Sequence, residues 1–254
     1  MSGSVIIAGL GPGPSQWITP EVAAALDQAT DLIGYAPYVA RVPLRAGVER
    51  HGSDNRVEID RAQHALRLAT EGRRVVVVSS GDPGVFAMAA AVFEAVDHGD
   101  PAWRELDIKV LPGISAMFAA AARVGAPLGH DFCAINLSDN LKPWPLVEQR
   151  LHLAAQAGFV IALYNPLSKA RPWQLGRALE LLRNELPGTV PVIFASAVGD
   201  AREAIDIVSL SDADPQRADM RTLLLIGSVH SRLIERAGGA PPFVYTPRSI
   251  GATA

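Results

Sequence analysis

The chain has 254 residues, 49% of them apolar, and a formal net charge of −3, so it is long enough to bury one large or two modest cores. No apolar run reaches the ~20 residues of a bilayer-spanning helix, and the slightly acidic balance excludes general nucleic-acid binding, which needs a basic surface. The single cysteine, Cys133, excludes an internal disulfide and a Cys-rich metal site.

The N-terminus has no basic segment ahead of its first apolar run, so a cytoplasmic protein is expected. Residues 5–8 read as a short strand that runs into Gly9-Leu10-Gly11-Pro12-Gly13. Thr19-Pro20-Glu21 then opens a helix: Thr19 caps, Pro20 suits the first helical position and Glu21 complements the dipole. Val22, Leu26, Ala29 and Ile33 recur at helical spacing until Gly34 stops the pattern. A second helix is expected over 59–71, with Gly72 past its end. It feeds residues 75–78, whose unbroken valines read as a strand covered on both faces.

Ser79-Ser80-Gly81-Asp82-Pro83-Gly84 is a loop, 85–96 a helix, 108–111 a strand entering the Pro112-Gly113 turn, and 115–124 a helix closed by Gly125. The rhythm resumes with strands at 132–137, 159–164, 192–195 and 222–226, and helices near 146–157 and 173–185. Strands alternating with helices predict α/β architecture with mostly parallel sheets. The break at Gly125-Ala126-Pro127 divides the chain into domains 1–124 and 125–254. The tail from residue 237 is rich in Gly and Pro, and its end is expected to be disordered. Six histidines show no ligand spacing. His51 and His64 have no neighbouring Cys or His in the chain, so hydrogen-bonded or solvated roles are expected, and no metal.

Three loops of similar character end strands in the first half: residues 9–13, 80–84 and 112–116. Parallel sheets place their ligand crevice at such carboxyl ends. The first cluster departs from a dinucleotide fingerprint, because Pro14 stands where the third glycine of G-x-G-x-x-G belongs and Pro12 lacks the N–H a phosphate cradle uses. Taken alone, a tight strand-to-helix turn accounts for it equally well. Asp82 is the only carboxylate among the three loops, suited to a turn and to a ligand hydroxyl or amine. In the second half, residues 138–144 and 164–173 each follow a strand and mix cations, amides and a Trp. That composition fits a flat, anionic, partly apolar ligand, with cations bonding carboxylates and aromatics packing on a ring.

Gly9-Leu10-Gly11-Pro12-Gly13, then Gly81-Asp82-Pro83, then Pro112-Gly113-Ile114-Ser115-Ala116 resemble, in this order, the tetrapyrrole methylases, the class III methyltransferases. More narrowly, Ser53-Asp54-Asn55-Arg56, Gly129-His130-Asp131-Phe132-Cys133 and residues 138–144 and 164–174 are similar to the branch acting on a corrin precursor. The resemblance implies two α/β domains, S-adenosylmethionine in the cleft between them and a homodimer. It also implies methyl transfer to a ring carbon coupled to contraction of the macrocycle. Carried onto this chain, it implies cofactor contacts at Pro12, Ser80, Gly81, Asp82, Val85, Ser115, Ala116, Asn165, Ser196 and Ala197. This chain has Ala195-Ser196 where relatives often carry Arg. Lys142, Lys169, Arg171 and Arg56 are expected to bind substrate carboxylates. Ring contraction needs a general base, for which Asp139 and His130 are the candidates, with Asp54 behind them. Alternatives are a family member acting on another precorrin or cobalt-precorrin, and a nucleotide-binding regulatory module without turnover.

Overall fold

The computed structural model describes residues 3–54, 57–168 and 170–249. It divides into two compact units, Met1–Ala116 and Met117–Ala254. Asn55, Arg56, Lys169 and the tail end expected to be disordered, residues 250–254, lie outside the described residues. Among the described residues no helix is long and apolar enough to cross a membrane.

The first unit contains β1 (Ser4–Gly9), α1 (Pro20–Gln28), β2 (Asp31–Tyr35), α2 (Ala36–Arg41), β3 (Glu49–Ser53), α3 (Glu58–Thr70), β4 (Arg74–Ser79), α4 (Met88–His98) and β5 (Asp107–Leu111). Its sheet has the order β3-β2-β4-β1-β5, and every pair is parallel. Successive valines of β4 point to opposite faces, as the strand period requires. Val75 and Val77 join a core with Ala62, Leu66 and Val92 of α3 and α4, while Val76 and Val78 pack with Val22 and Ala25 of α1. The expected burial of this strand on both faces is therefore met. Thr19 caps α1, its Oγ1 accepting from the Val22 N–H at 3.2 Å.

The helix expected to run on to Ile33 instead ends at Gln28, and residues 31–35 form β2. Spacing alone misled here, since Ala29 and Ile33 both face cores but in different elements. Gly34 is not a helix stop either. A Cβ there would lie 2.8 Å from Val78 Cγ2, so Gly34 lets β2 approach β4 closely.

The second unit begins within α5 (Ala116–Val124) and continues with β6 (Gly125–Ala126), β7 (Phe132–Asn136), α6 (Trp144–Gln156), β8 (Val160–Tyr164), α7 (Gln174–Glu185), β9 (Pro191–Ser196), β10 (Ala204–Ser209), β11 (Thr222–Ile226), β12 (Arg232–Ile234) and β13 (Phe243–Tyr245). Its main sheet has the order β10-β9-β11-β8-β7, in which only β7 and β8 pair in parallel. This corrects the expectation of a mostly parallel second sheet. No crossover helix joins β9, β10 and β11, and strands without one pair antiparallel. Because β11 runs antiparallel to both β8 and β9, the strands β7, β8 and β9 nonetheless point the same way. The tail is tied down through Thr246, whose Oγ1 donates to Pro127 O at 2.6 Å.

Candidate active site

In the first unit, β1 connects to β2 on one side of the sheet and β4 connects to β5 on the other. The strand order therefore reverses between the neighbours β1 and β4, which is where open α/β sheets bind ligands. Three loops leave the carboxyl ends of β1, β4 and β5 at this point, and they meet backbone to backbone. A Cβ on Gly9 would stand 2.7 Å from both Gly113 N and Gly81 O, and one on Gly113 would stand 2.4 Å from Gly81 O. Gly11 N donates to Gly81 O at 3.2 Å and Leu10 N to Ser79 O at 2.9 Å. The loops that looked alike in the sequence thus form one surface made largely of main chain.

Asp82 holds that surface together. Its Oδ1 accepts from Gly84 N at 2.8 Å and its Oδ2 from Gly113 N at 3.1 Å, so one carboxylate pins the β4 loop to the β5 loop. Pro12 and Val85 are half-buried beside it, Ser115 is buried, and Ala116 starts α5. Ser80 shares a side-chain hydrogen bond with Tyr38, whose hydroxyl is pushed up from its ordinary value by burial.

Sequence reasoning missed Arg41. From the last turn of α2, its guanidinium donates to Gly11 O (2.9 Å), Leu10 O (3.1 Å) and Gly13 O (2.7 Å). One side chain thus gathers three carbonyls of the first glycine loop. Nothing local in the sequence signals this, since about 30 residues separate donor from acceptors.

In the second unit, β7, β8 and β9 end side by side in direction, and their loops carry the remaining candidates. The two loops grouped by composition are brought together. Trp144 and Trp173 meet edge to face with centroids 4.8 Å apart. Asn165 Nδ2 donates to Asn136 Oδ1 at 3.1 Å, and Gln174 Nε2 donates to both Asp139 oxygens at 3.2 Å. Lys142 Nζ donates to Ser138 O at 3.0 Å and Arg171 to Asn165 O at 3.2 Å. Burial and then Arg150 and Arg171 hold the Lys142 ammonium below its ordinary value, with Asp139 opposing them. Arg56 and Lys169, the other two cations expected here, lie outside the described residues.

Asp139 and His130 are not brought together. His130 precedes the five-residue β7 and Asp139 follows it, which at ~3.3 Å per residue separates them by on the order of 15 Å or more. His130 Nδ1 accepts from Asp131 N at 2.6 Å. Ser196 ends β9 with its hydroxyl donating to Asp219 Oδ1 at 3.0 Å. Burial pushes the Cys133 thiol up to about 11, so it stays protonated at neutral pH and offers no thiolate nucleophile.

Backbone strain marks the same loops. Among the described residues the non-glycine residues with positive φ are Phe86 (53°), Asn165 (51°) and Ala197 (50°). Each follows the carboxyl end of β4, β8 or β9, and such strain concentrates where a loop must present groups to a ligand.

The sequence model of the Tetrapyrrole (Corrin/Porphyrin) Methylases matches residues 4–214. The chain belongs to this family. It is 57% identical over 248 residues to a precorrin-3B C(17)-methyltransferase of a Sinorhizobium species, a match covering 98% of this chain and 97% of the relative. The crystal structure of the methyltransferase CobJ superposes with a TM-score of 0.92 at 58% identity, covering 97% of this chain and 100% of that one. A probable cobalt-factor III C(17)-methyltransferase of Salmonella typhimurium is 38% identical over 87% of this chain and 91% of its own. The resemblance read from the glycine loops is thereby met, as is the narrower one read from the motifs of the second half. The α/β fold with its parallel first sheet is that of the tetrapyrrole methylases.

Proposed function

We propose that this chain transfers the methyl group of S-adenosylmethionine to C17 of precorrin-3B, with ring contraction to precorrin-4, in cobalamin biosynthesis. The observation that carries this reading is the 57% identity over nearly the whole of both chains to a relative named for that activity. The cofactor site we place at the junction of the loops carrying Gly9, Gly81 and Gly113, where the absence of side chains lets the three loops close on one another backbone to backbone. Pro12, Ser80, Asp82, Val85, Ser115 and Ala116 border it. When bound, S-adenosylmethionine supplies an electrophilic methyl on a sulfonium. The residues of the site orient it, and correct placement of two reactants supplies much of the catalysis in such a transfer. Asn165, Ser196 and Ala197 stay assigned to the cofactor as part of the same proposal.

The deciding experiment incubates the protein with labelled S-adenosylmethionine and metal-free or cobalt-bearing C17-unmethylated substrates, followed by mass spectrometry of the products. Methylated, contracted product from the metal-free substrate is expected. Turnover only with the cobalt-bearing one would transfer the assignment to the activity named for the Salmonella relative, and binding without turnover would support a regulatory module.

Arg41 should act on the cofactor alone. Arg41→Met removes three bonds to the first glycine loop, and a charged hydrogen bond is worth roughly 1.5–3 kcal/mol. S-Adenosylmethionine affinity measured by calorimetry is expected to fall about tenfold or more, with the KM for the precorrin unchanged at saturating cofactor. An unaltered dissociation constant would leave the loop independent of Arg41.

Lys142 and Arg171 should act on the substrate alone. Their mutual electrostatic opposition, with Arg150 alongside, is relieved by an anion, and the substrate carries carboxylates. Lys142→Met and Arg171→Met are each expected to raise the substrate KM about tenfold while leaving cofactor affinity in place. Unchanged KM values in both would make these side chains loop supports.

We also propose a homodimer. Phe118 and Phe132, in edge-to-face contact, and Leu233, Ile234 and Phe243, on paired strands of the second unit, are exposed, and grouped exposed apolar side chains are a mark of association surfaces. Sedimentation equilibrium at twice the chain mass is expected; a monomer at micromolar concentration would count against it.

A further inference from the structure

A second polar cluster lies in the first unit, between β3 and α3. His51 of β3 and His64 of α3, expected to be hydrogen-bonded or solvated, are hydrogen-bonded to each other: His64 Nε2 stands 3.2 Å from His51 Nδ1. His51 Nε2 in turn stands 3.1 Å from Oδ1 of Asp31, which is fully buried. Burial would raise the Asp31 carboxyl, but bonds from Arg73, Thr30 and His51 outweigh it and hold it below its ordinary value. With Asp31 ionised, His51 donates to it through Nε2, and one proton lies between His51 Nδ1 and His64 Nε2. Arg73 also bonds Glu49 at 2.9 Å, so the positive charge between these two carboxylates is a guanidinium.

The imidazole pair lines a cavity of about 340 Å³ together with Ser53, Val57, Asp60 and Arg61. Arg61 is only 4% exposed, and all its contacts are neutral. Nε donates to Ser53 Oγ at 2.9 Å, one terminal nitrogen lies 3.1 Å from Met88 Sδ, and the other donates to Asp54 O. Among the described residues no carboxylate forms an ion pair with it. Desolvation accordingly pulls its pKa below the ordinary value, against the longer-range influence of Glu58, Tyr38 and Asp54. Buried charges are normally paired, because leaving one unpaired costs far more than the cavity wall returns. Arg61 keeps N–H groups beyond these three contacts, since a guanidinium has five. The first turn of α3 opens beside it with Val57 at the cap position and no side-chain cap, leaving donor N–H groups of the same polarity. Asp60 lines the cavity too but is exposed, so solvent screens it more than the buried guanidinium.

We propose that this cavity is a binding site for a small oxyanion, a carboxylate or phosphate group, held by Arg61. Two sources share that chemistry: a carboxylate side chain of the macrocycle and a free oxyanion. Binding itself requires no methyl transfer, so the site stands or falls separately from the activity proposed above.

The test follows the ring resonances of His51 and His64 by NMR in the full-length protein during titration with inorganic phosphate, with sodium chloride at matched ionic strength as reference. Saturable shifts are expected for phosphate and not for chloride. Arg61→Met should weaken the phosphate response roughly tenfold or more. Because Arg61 also braces Ser53 and Asp54, that variant can fail to fold, and Val57→Glu provides the second reading. It sets a tethered carboxylate on the cavity wall without touching the Arg61 contacts and should abolish phosphate binding at parental stability. Absence of saturable shifts, or parental phosphate binding in Val57→Glu, overturns the proposal. Competition between phosphate and the corrin precursor would identify the substrate's own carboxylate as the occupant, and additive binding of the two would identify a free oxyanion; both outcomes uphold the site.

Discussion

Asp139→Asn is expected to slow ring contraction by the roughly 10²- to 10⁴-fold typical of losing a general base, with both substrates still bound. Contraction requires a proton to leave a ring hydroxyl as an acyl carbon migrates. Asp139 is half-buried in a loop at the carboxyl end of β7, with Lys142 within electrostatic reach. Its orientation is imposed by Gln174, which is 1% exposed and donates to both carboxylate oxygens. Gln174 Oε1 is buried without a partner among the described residues, at a cost of about 1–3 kcal/mol. The amide cannot turn over to relieve it, because Oε1 would then face the carboxylate. Asn at position 139 keeps the shape and an acceptor for Gln174, so unfolding is not the expected cause of the loss. His130→Gln should contract the ring at the parental rate, since His130 lies at the opposite end of β7. Single-turnover product analysis reads both. If Asp139→Asn contracts at the parental rate, proton transfer assisted by the substrate itself becomes the better account.

Gly113→Ala is expected to destabilise the protein by about 1–3 kcal/mol, the usual cost of overpacking, and to lower methyl transfer by about a hundredfold, as a displacement on the order of 1 Å at a reacting site can. The new Cβ would sit 2.4 Å from Gly81 O and 2.8 Å from Gly9 O. Both are main-chain atoms of neighbouring loops, so no side chain can swing aside and the loops themselves must part. Gly47→Ala is the control. Its φ of 78° makes a side chain costly, but nothing lies within 4 Å of the new Cβ, so it should lose about 1 kcal/mol or somewhat more and keep cofactor affinity. Denaturant unfolding and calorimetric titration with S-adenosylmethionine separate the two effects. Parental cofactor affinity in Gly113→Ala would remove the cofactor from this surface.

Much of this was legible before any coordinates. Thr19 and Pro20 announced α1, the four valines of β4 announced a strand covered on both faces, and the glycines after three strands marked the ligand edge of the first sheet. In each case the signal is local: a cap, a period, or a residue type whose conformational freedom is needed where it stands. The motif order around Gly9, Gly81 and Gly113 was enough to identify the family.

The tertiary structure alone decided which strands became neighbours and which side chains met. Spacing assigned Ile33 to a helix because a residue four positions on repeats on a helix face, whereas pairing with β3 and β4 makes it part of β2. The antiparallel insertion of β11 between β8 and β9 left no trace in periodicity, since a buried strand reads the same in either direction. Arg41 reaches carbonyls about 30 residues away, His64 reaches His51 13 residues away, and Asp139 and His130, only nine positions apart, are held at opposite ends of a strand. Local sequence encodes propensity and burial, while contacts of this kind depend on strand order and crossover path, which are settled only when the separate elements compete for the same core.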